Sequence, residues 1–143
     1  MKLSLSPHEK ALLRAAKISV CQLAELTGTQ LSKCTHIPLQ RCNHLVALCQ
    51  FQSLGSVGVK MAEKIWNLGY TSLQTLAKAN PVRMYQDYNR LTRCQADPCV
   101  EDVFRCAIAQ AKHKNLNGEQ RQWWYWTPMR GEAAITIPEL QTC

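Results

Sequence analysis

The stretch Leu54-Gly55-Ser56-Val57-Gly58-Val59-Lys60-Met61-Ala62-Glu63-Lys64-Ile65 holds the residue types that bind an anion through the backbone. The spacing predicts a helix that ends, a turn of a few residues, and a second helix. Gly58 is expected to take backbone angles barred to other residues. Val57 is expected to plug between the two helices. The free N–H groups at the second helix start then point outward beside its positive dipole end. A phosphate oxygen suits that arrangement. Lys60 and Lys64, one turn apart, add positive charge. No side chain here reads bases, so binding is expected to ignore sequence. About 2–4 engaged phosphates imply modest, steeply salt-dependent affinity. The same spacing also describes a plain helical corner with solvated lysines.

The other reactive residue types form no catalytic set. His8, His36, His44 and His113 are scattered, and no Ser-His-Asp or Cys-His arrangement can be assembled by spacing. Cys94, Cys99 and Cys106 are the best metal candidates. They lack the fourth thiolate of an iron–sulfur site and the CxxC knuckle of a zinc site. They read instead as buried or partly buried thiols. Asp97, Glu101 and Asp102 are the acidic cluster, with Asp97 as a helix cap and the others as a solvated helix start. Arg105, flanked by Phe104 and Cys106, is expected to cap a loop or pair with Asp87 or Asp102. Trp123, Trp124 and Trp126 can stack bases, but the simpler expectation is that they fold back over the core. Neither an enzyme activity nor a cofactor is expected.

Charge points the same way as the corner. The 143 residues carry a net charge of +7. Residues 1–97 hold 12 Lys and Arg against 5 Asp and Glu, whereas residues 98–143 hold 5 of each. Such a bias suits a polyanion. No run approaches the roughly 18 apolar residues of a membrane helix, and the N-terminus lacks a secretory signal. A cytoplasmic protein with reduced thiols is expected, although the 8 Cys are even in number.

The elements that must position the corner are marked by caps. Ser6-Pro7-His8-Glu9 is a capping box with Pro at the first helical position, opening a helix through Ala16. Ser19 opens a short helix ending by Gly28, and Thr29 to Cys34 form another short turn. After the break His36-Ile37-Pro38, a helix runs to about Phe51. Helix 59–68 stops at Gly69. Thr71-Ser72 opens the next, Asn80-Pro81 another to about Leu91, and Asp97-Pro98 a long one to about Lys112. No strand pattern precedes residue 120. Residues 127–143 are expected to be loosely ordered, with a short extended piece at 135–137.

Residues 15–24 and 68–77 resemble each other, with Ser19/Ser72, Leu23/Leu76 and Ala24/Ala77 identical. The fold class expected is therefore all-α: a compact multi-helix bundle of two pseudo-repeated helix-hairpin-helix units. The domain would span 1–114, with repeats at about 6–50 and 51–112. A Trp-rich segment and tail, 115–143, would pack partly on it.

Residues 56–73 resemble the helix-hairpin-helix motif of DNA-binding and repair proteins. Gly58, Lys60 and Ala62 fit its pattern. Gly55 stands where that motif often has Pro, and Ser56 where it has its first Gly. His36-Ile37-Pro38 resembles a second, degenerate hairpin, with His36 in the Gly position. Asp97-Pro98-Cys99-Val100-Glu101-Asp102-Val103-Phe104-Arg105-Cys106-Ala107 and Trp123-Trp124-Tyr125-Trp126 are similar to hallmarks of a small bacterial family. This is the pathogenicity-locus helix-hairpin-helix family, some of whose members are labelled mitomycin-resistance proteins. The resemblance covers about residues 8–127 and implies DNA binding. Gly55, Ser56, Val57, Gly58, Lys60, Lys64, His36 and Arg41 are the expected contact residues, helped by Arg90 and Arg93. The partner is duplex or branched DNA held by its phosphates, with no membrane. A non-catalytic protein-interaction module of the same fold stays open beside it.

Overall fold

Ser6 accepts a hydrogen bond from the Glu9 amide, and the Glu9 carboxylate returns one from the Ser6 amide. This reciprocal cap starts α1 (Pro7–Ala15). Thr27 and Gln30 repeat the device at the start of α2 (Gly28–Thr35). Between them Val20–Glu25 forms a 3-10 helix. The remaining helices are α3 (Leu39–Gln52), α4 (Val59–Asn67), α5 (Leu73–Ala77), α6 (Pro81–Thr92) and α7 (Cys99–Lys112). A second 3-10 helix spans Trp123–Met129. The computed structural model describes residues 1–135 and 137, and among these there is no strand. The regular structure of the described residues is all helical, as expected from the capping signals.

Contacts divide the chain into two units: Met1–Ser53 with Val57–Leu73, and Leu54–Ser56 with Gln74–Cys143. The first holds α1 to α4. Its core gathers Leu13, Leu23, Leu31, Ile37, Val46 and Cys49. Helix α3 is buried on most of its circumference, as its long apolar run requires. His44 of α3 stacks on Trp66 of α4, ring centroids 4.6 Å apart, and its Nε2 lies 3.1 Å from Glu63 Oε2. These contacts fix α4 against α3.

Arg41 ties α3 to α1. Its Nε donates to Glu9 Oε2 at 2.7 Å and its Nη2 to the Ser4 carbonyl at 2.6 Å. The Arg41 guanidinium holds the Glu9 carboxyl down at about 2, against an ordinary 4.5. The partners lie 32 positions apart, so no local pattern announces the pair.

In the second unit, α7 presents a buried polar face. Glu101 is 7% exposed, and Asp102 and Arg105 are fully buried. This corrects the expectation of a solvated helix start. Asp102 accepts from Arg130 Nη2 at 2.6 Å and from Thr127 Oγ1 at 2.9 Å. Glu101 accepts from the Gly131 amide at 2.9 Å. Arg105 caps a loop: it donates to the carbonyls of Ala134 and Glu132. Its carboxylate neighbour is Glu101, at 3.6 Å, rather than Asp87 or Asp102. A buried charge is tolerated only with such partners. Segment 127–134 is therefore bound to α7, and 127–129 are helical, where loose order was expected. Of the expected extended piece at 135–137, Ile137 is buried against Cys106, Ala109 and Trp126. Thr136 and residues 138–143 lie outside the described residues.

Helix α4 stops at Gly69, whose φ of +101° belongs to the left-handed region. Gly69→Ala should lower stability by about 1–2 kcal/mol, read as a shifted urea midpoint at unchanged slope. Glu9→Gln keeps the reciprocal cap but removes the ion pair. A depressed carboxyl stabilises fully above its unfolded value and loses that stabilisation as pH falls through the folded one. The variant should thus be less stable than wild type at neutral pH. The gap should close between pH 4.5 and about 2 in urea titrations across that range.

Candidate nucleic-acid interface

The corner between α3 and α4 is built from two halves with opposite backbone fates. Gly55 is engaged inside the second unit. Its amide donates to Gln110 Oε1 at 2.8 Å, and its carbonyl accepts from Gln110 Nε2 at 2.9 Å. A Cβ at this position would sit 2.3 Å from the Arg121 carbonyl oxygen, so close approach of two backbones demands the glycine. Ser56 is equally committed. Its hydroxyl donates to the Arg121 carbonyl at 3.3 Å and accepts the Trp123 amide at 3.0 Å. The left-handed backbone falls here, at φ +67°, and not at the following glycine.

Gly58 has φ −91° and ψ −174°, ordinary extended backbone. The expectation that its role is a forbidden conformation is therefore corrected. A Cβ on Gly58 would meet nothing within 4 Å, and the residue is exposed. Neither its conformation nor its surroundings require glycine. What the missing side chain leaves clear is the space in front of the first turn of α4. That turn has no side-chain cap. Its first backbone bond runs from the Ala62 amide to the Gly58 carbonyl at 2.9 Å. The amides of Val59, Lys60 and Met61 have no acceptor among the described residues. Val57 is buried, at 6% exposure.

Helix α3 begins in a related way. His36 ends α2 in the left-handed region at φ +61°. Its amide donates to the Ser32 carbonyl at 2.8 Å. Pro38 precedes α3 and offers no side-chain cap. Side-chain caps are supplied by Ser6 for α1, Thr27 for α2 and Asn80 for α6, whereas Pro98, which precedes α7, supplies none.

The charged candidates separate clearly. Lys60 is exposed, with no partner among the described residues. Lys64 is half-buried and engaged. Arg41 belongs to Glu9 and Ser4, and its Nη1 lies 3.2 Å from His44 Nδ1, which removes it as a free phosphate contact. Arg90 pairs with Asp87 at 2.9 Å on the surface. Arg93 is exposed, at the left-handed end of α6. The first unit carries 8 Lys and Arg against 3 acids, so the positive excess lies mainly where the open amides are.

The thiols are spread over different environments. Cys94 is exposed, Cys99 half-buried and Cys106 buried. Burial pushes the Cys106 and Cys49 thiols up to about 11, which keeps them protonated and unreactive at neutral pH. No group of three metal-ligating side chains is gathered among the described residues. Trp126 is fully buried and donates from Nε1 to the Gln120 carbonyl at 2.9 Å. Trp123 and Trp124, expected to fold back as well, are instead 38% and 50% exposed. No helix among the described residues is long and apolar enough to cross a membrane.

Residues 45–132 match the family model of Cdd1, described as "Pathogenicity locus". This span takes in the corner, α4 to α7 and the Trp-rich segment, but neither His36 nor Arg41. Over 78 residues the chain is 30% identical to the "Mitomycin resistance protein McrB" of Streptomyces lavendulae. That alignment covers 54% of this chain and 70% of the relative. No solved structure matches the chain. With the matched span exceeding half of its length, the chain belongs to the Cdd1 pathogenicity-locus family.

Proposed function

We propose that this protein binds DNA through its phosphates, without reading sequence, and catalyses nothing by itself. The observation that carries the reading is the first turn of α4. Three amides there have no acceptor among the described residues, a glycine with no conformational duty precedes them, and the exposed Lys60 is one of the three. Peptide dipoles along α4 place partial positive charge at that end. A phosphate oxygen replaces the missing cap. Gly55, Ser56 and Val57 hold the turn, and Gly58 and Lys60 meet the ligand. The mitomycin-resistance name of the Streptomyces lavendulae relative adds a role in drug resistance to the proposal.

The order of elements supports a helix-hairpin-helix reading of two related halves. Helices α1 and α4 both have 9 residues, and α3 and α7 both have 14. Left-handed residues follow α1 and α4, at Lys17 and Gly69, and end α2 and α6, at His36 and Arg93.

Gly58→Asp is the decisive variant. Aspartate is a favoured N-cap, its Cβ has room, and the extended backbone already suits it. The change should raise stability by about 1 kcal/mol while filling the amides and adding a repelling charge. In fluorescence anisotropy with a short labelled duplex, wild-type affinity should fall about ten- to a hundredfold between about 50 and 200 mM salt. Gly58→Asp and Lys60→Glu should each weaken binding at the lower salt about tenfold. Unchanged affinity in both variants, or no binding by wild type at low salt, overturns the proposal and leaves a protein-interaction module of the same fold.

A further inference from the structure

Tryptophan side chains left in water need a reason, because each indole forgoes a large burial energy. Trp123 and Trp124 are 38% and 50% exposed, while Trp126, two positions on, is fully buried. The outward pair is not loose. The Trp123 amide donates to Ser56 Oγ at 3.0 Å. Two residues earlier, the Arg121 carbonyl receives the Ser56 hydroxyl at 3.3 Å. On the other side, Trp126 anchors the same 3-10 helix through Gln120 and an edge contact with Tyr125, centroids 5.1 Å apart. Gln120 and Asn117 exchange bonds of 2.9 and 3.0 Å and brace the turn that leads in. These bonds order the backbone that carries the two exposed indoles.

The chain leading up to the indoles is cationic. Residues 112–124 carry Lys112, Lys114 and Arg121 against the single acid Glu119. All three cations are exposed, and none has an ion-pair partner among the described residues. Arg121 and Gln122, exposed and polar, directly precede the pair. An apolar protein segment would want a continuous apolar patch, whereas these two exposed indoles follow a cationic, polar stretch of chain. Flat rings joined by a negatively charged backbone fit both features.

We propose that Trp123 and Trp124 form a platform on which unpaired bases of single-stranded DNA stack, with Arg121, Lys112 and Lys114 supplying charge for the backbone. The inference rests on the nucleic-acid reading above and names its substrate more narrowly: DNA that offers unpaired bases. A backbone already ordered beneath the indoles lowers the ordering cost of binding.

The test uses the full chain, with two fluorescein-labelled probes of equal length, an oligo-dT strand and a blunt duplex. Trp123→Ala/Trp124→Ala should weaken oligo-dT binding about tenfold or more and leave duplex binding unchanged. Trp123→Phe/Trp124→Phe, which keeps aromatic faces, should restore most of the lost affinity. Unaltered oligo-dT binding in the alanine variant overturns the platform, as does equal weakening of both probes. A wild-type dimer in sedimentation that the alanine variant dissolves also overturns it, because the indoles would then cover a second copy. Gly58→Asp separates this claim from the previous one. If it leaves duplex binding intact while the tryptophan variant loses oligo-dT, the α4 corner fails and the platform stands. If it abolishes duplex binding while oligo-dT binding ignores the tryptophans, the reverse holds.

Discussion

Every backbone amide removed from water needs an acceptor, and the corner at residues 55–61 meets that demand in two ways. At Gly55 the Gln110 carboxamide satisfies both amide and carbonyl, so this part of the turn is structure. At Val59, Lys60 and Met61 no acceptor is supplied among the described residues, so this part is left to solvent or to a ligand. The distinction gives the two glycines different meanings. Gly55 permits a close approach of chain to chain, with the Arg121 carbonyl where its side chain would be. Gly58 permits a close approach from outside.

A second constraint holds the Trp-rich segment. Glu101, Asp102 and Arg105 occupy one buried end of α7 and each takes partners from residues 127–134. Arg105 Nε, buried, has no hydrogen-bond partner among the described residues. A network this dependent on distant groups tolerates the loss of one member poorly, since the survivor is left charged in the interior. It explains why a segment without helical periodicity has a defined place. Ser56 and Gln120 order the preceding backbone, and the Gln120 carbonyl receives the indole N–H of the buried Trp126.

Sequence disclosed what is local. Ser6-Pro7, Asn80-Pro81, Gly69 and the 3.6-residue spacing in α7 fixed most helix boundaries to within a residue or two, because a cap or an apolar stripe is encoded within one turn. What escaped is long-range. The positive φ lies on Ser56 rather than on Gly58, because Arg121 and Trp123 grip the serine hydroxyl from more than 60 positions away. Arg41 reads as a free cation until Glu9 is brought beside it. Asp102 reads as a solvated first-turn carboxylate until Arg130, 28 residues on, covers it. For the tryptophans, composition argues for burial. Only the geometry of the 3-10 helix separates Trp126 from Trp123 and Trp124.

Amide chemical shifts report the central claim residue by residue. In a two-dimensional proton–nitrogen NMR titration with a short duplex at low salt, the account predicts progressive shifts of the Val59, Lys60 and Met61 amides. The Gly55 amide, already bonded to Gln110, should scarcely move. Saturation of the protein with no displacement at Val59–Met61 would contradict it.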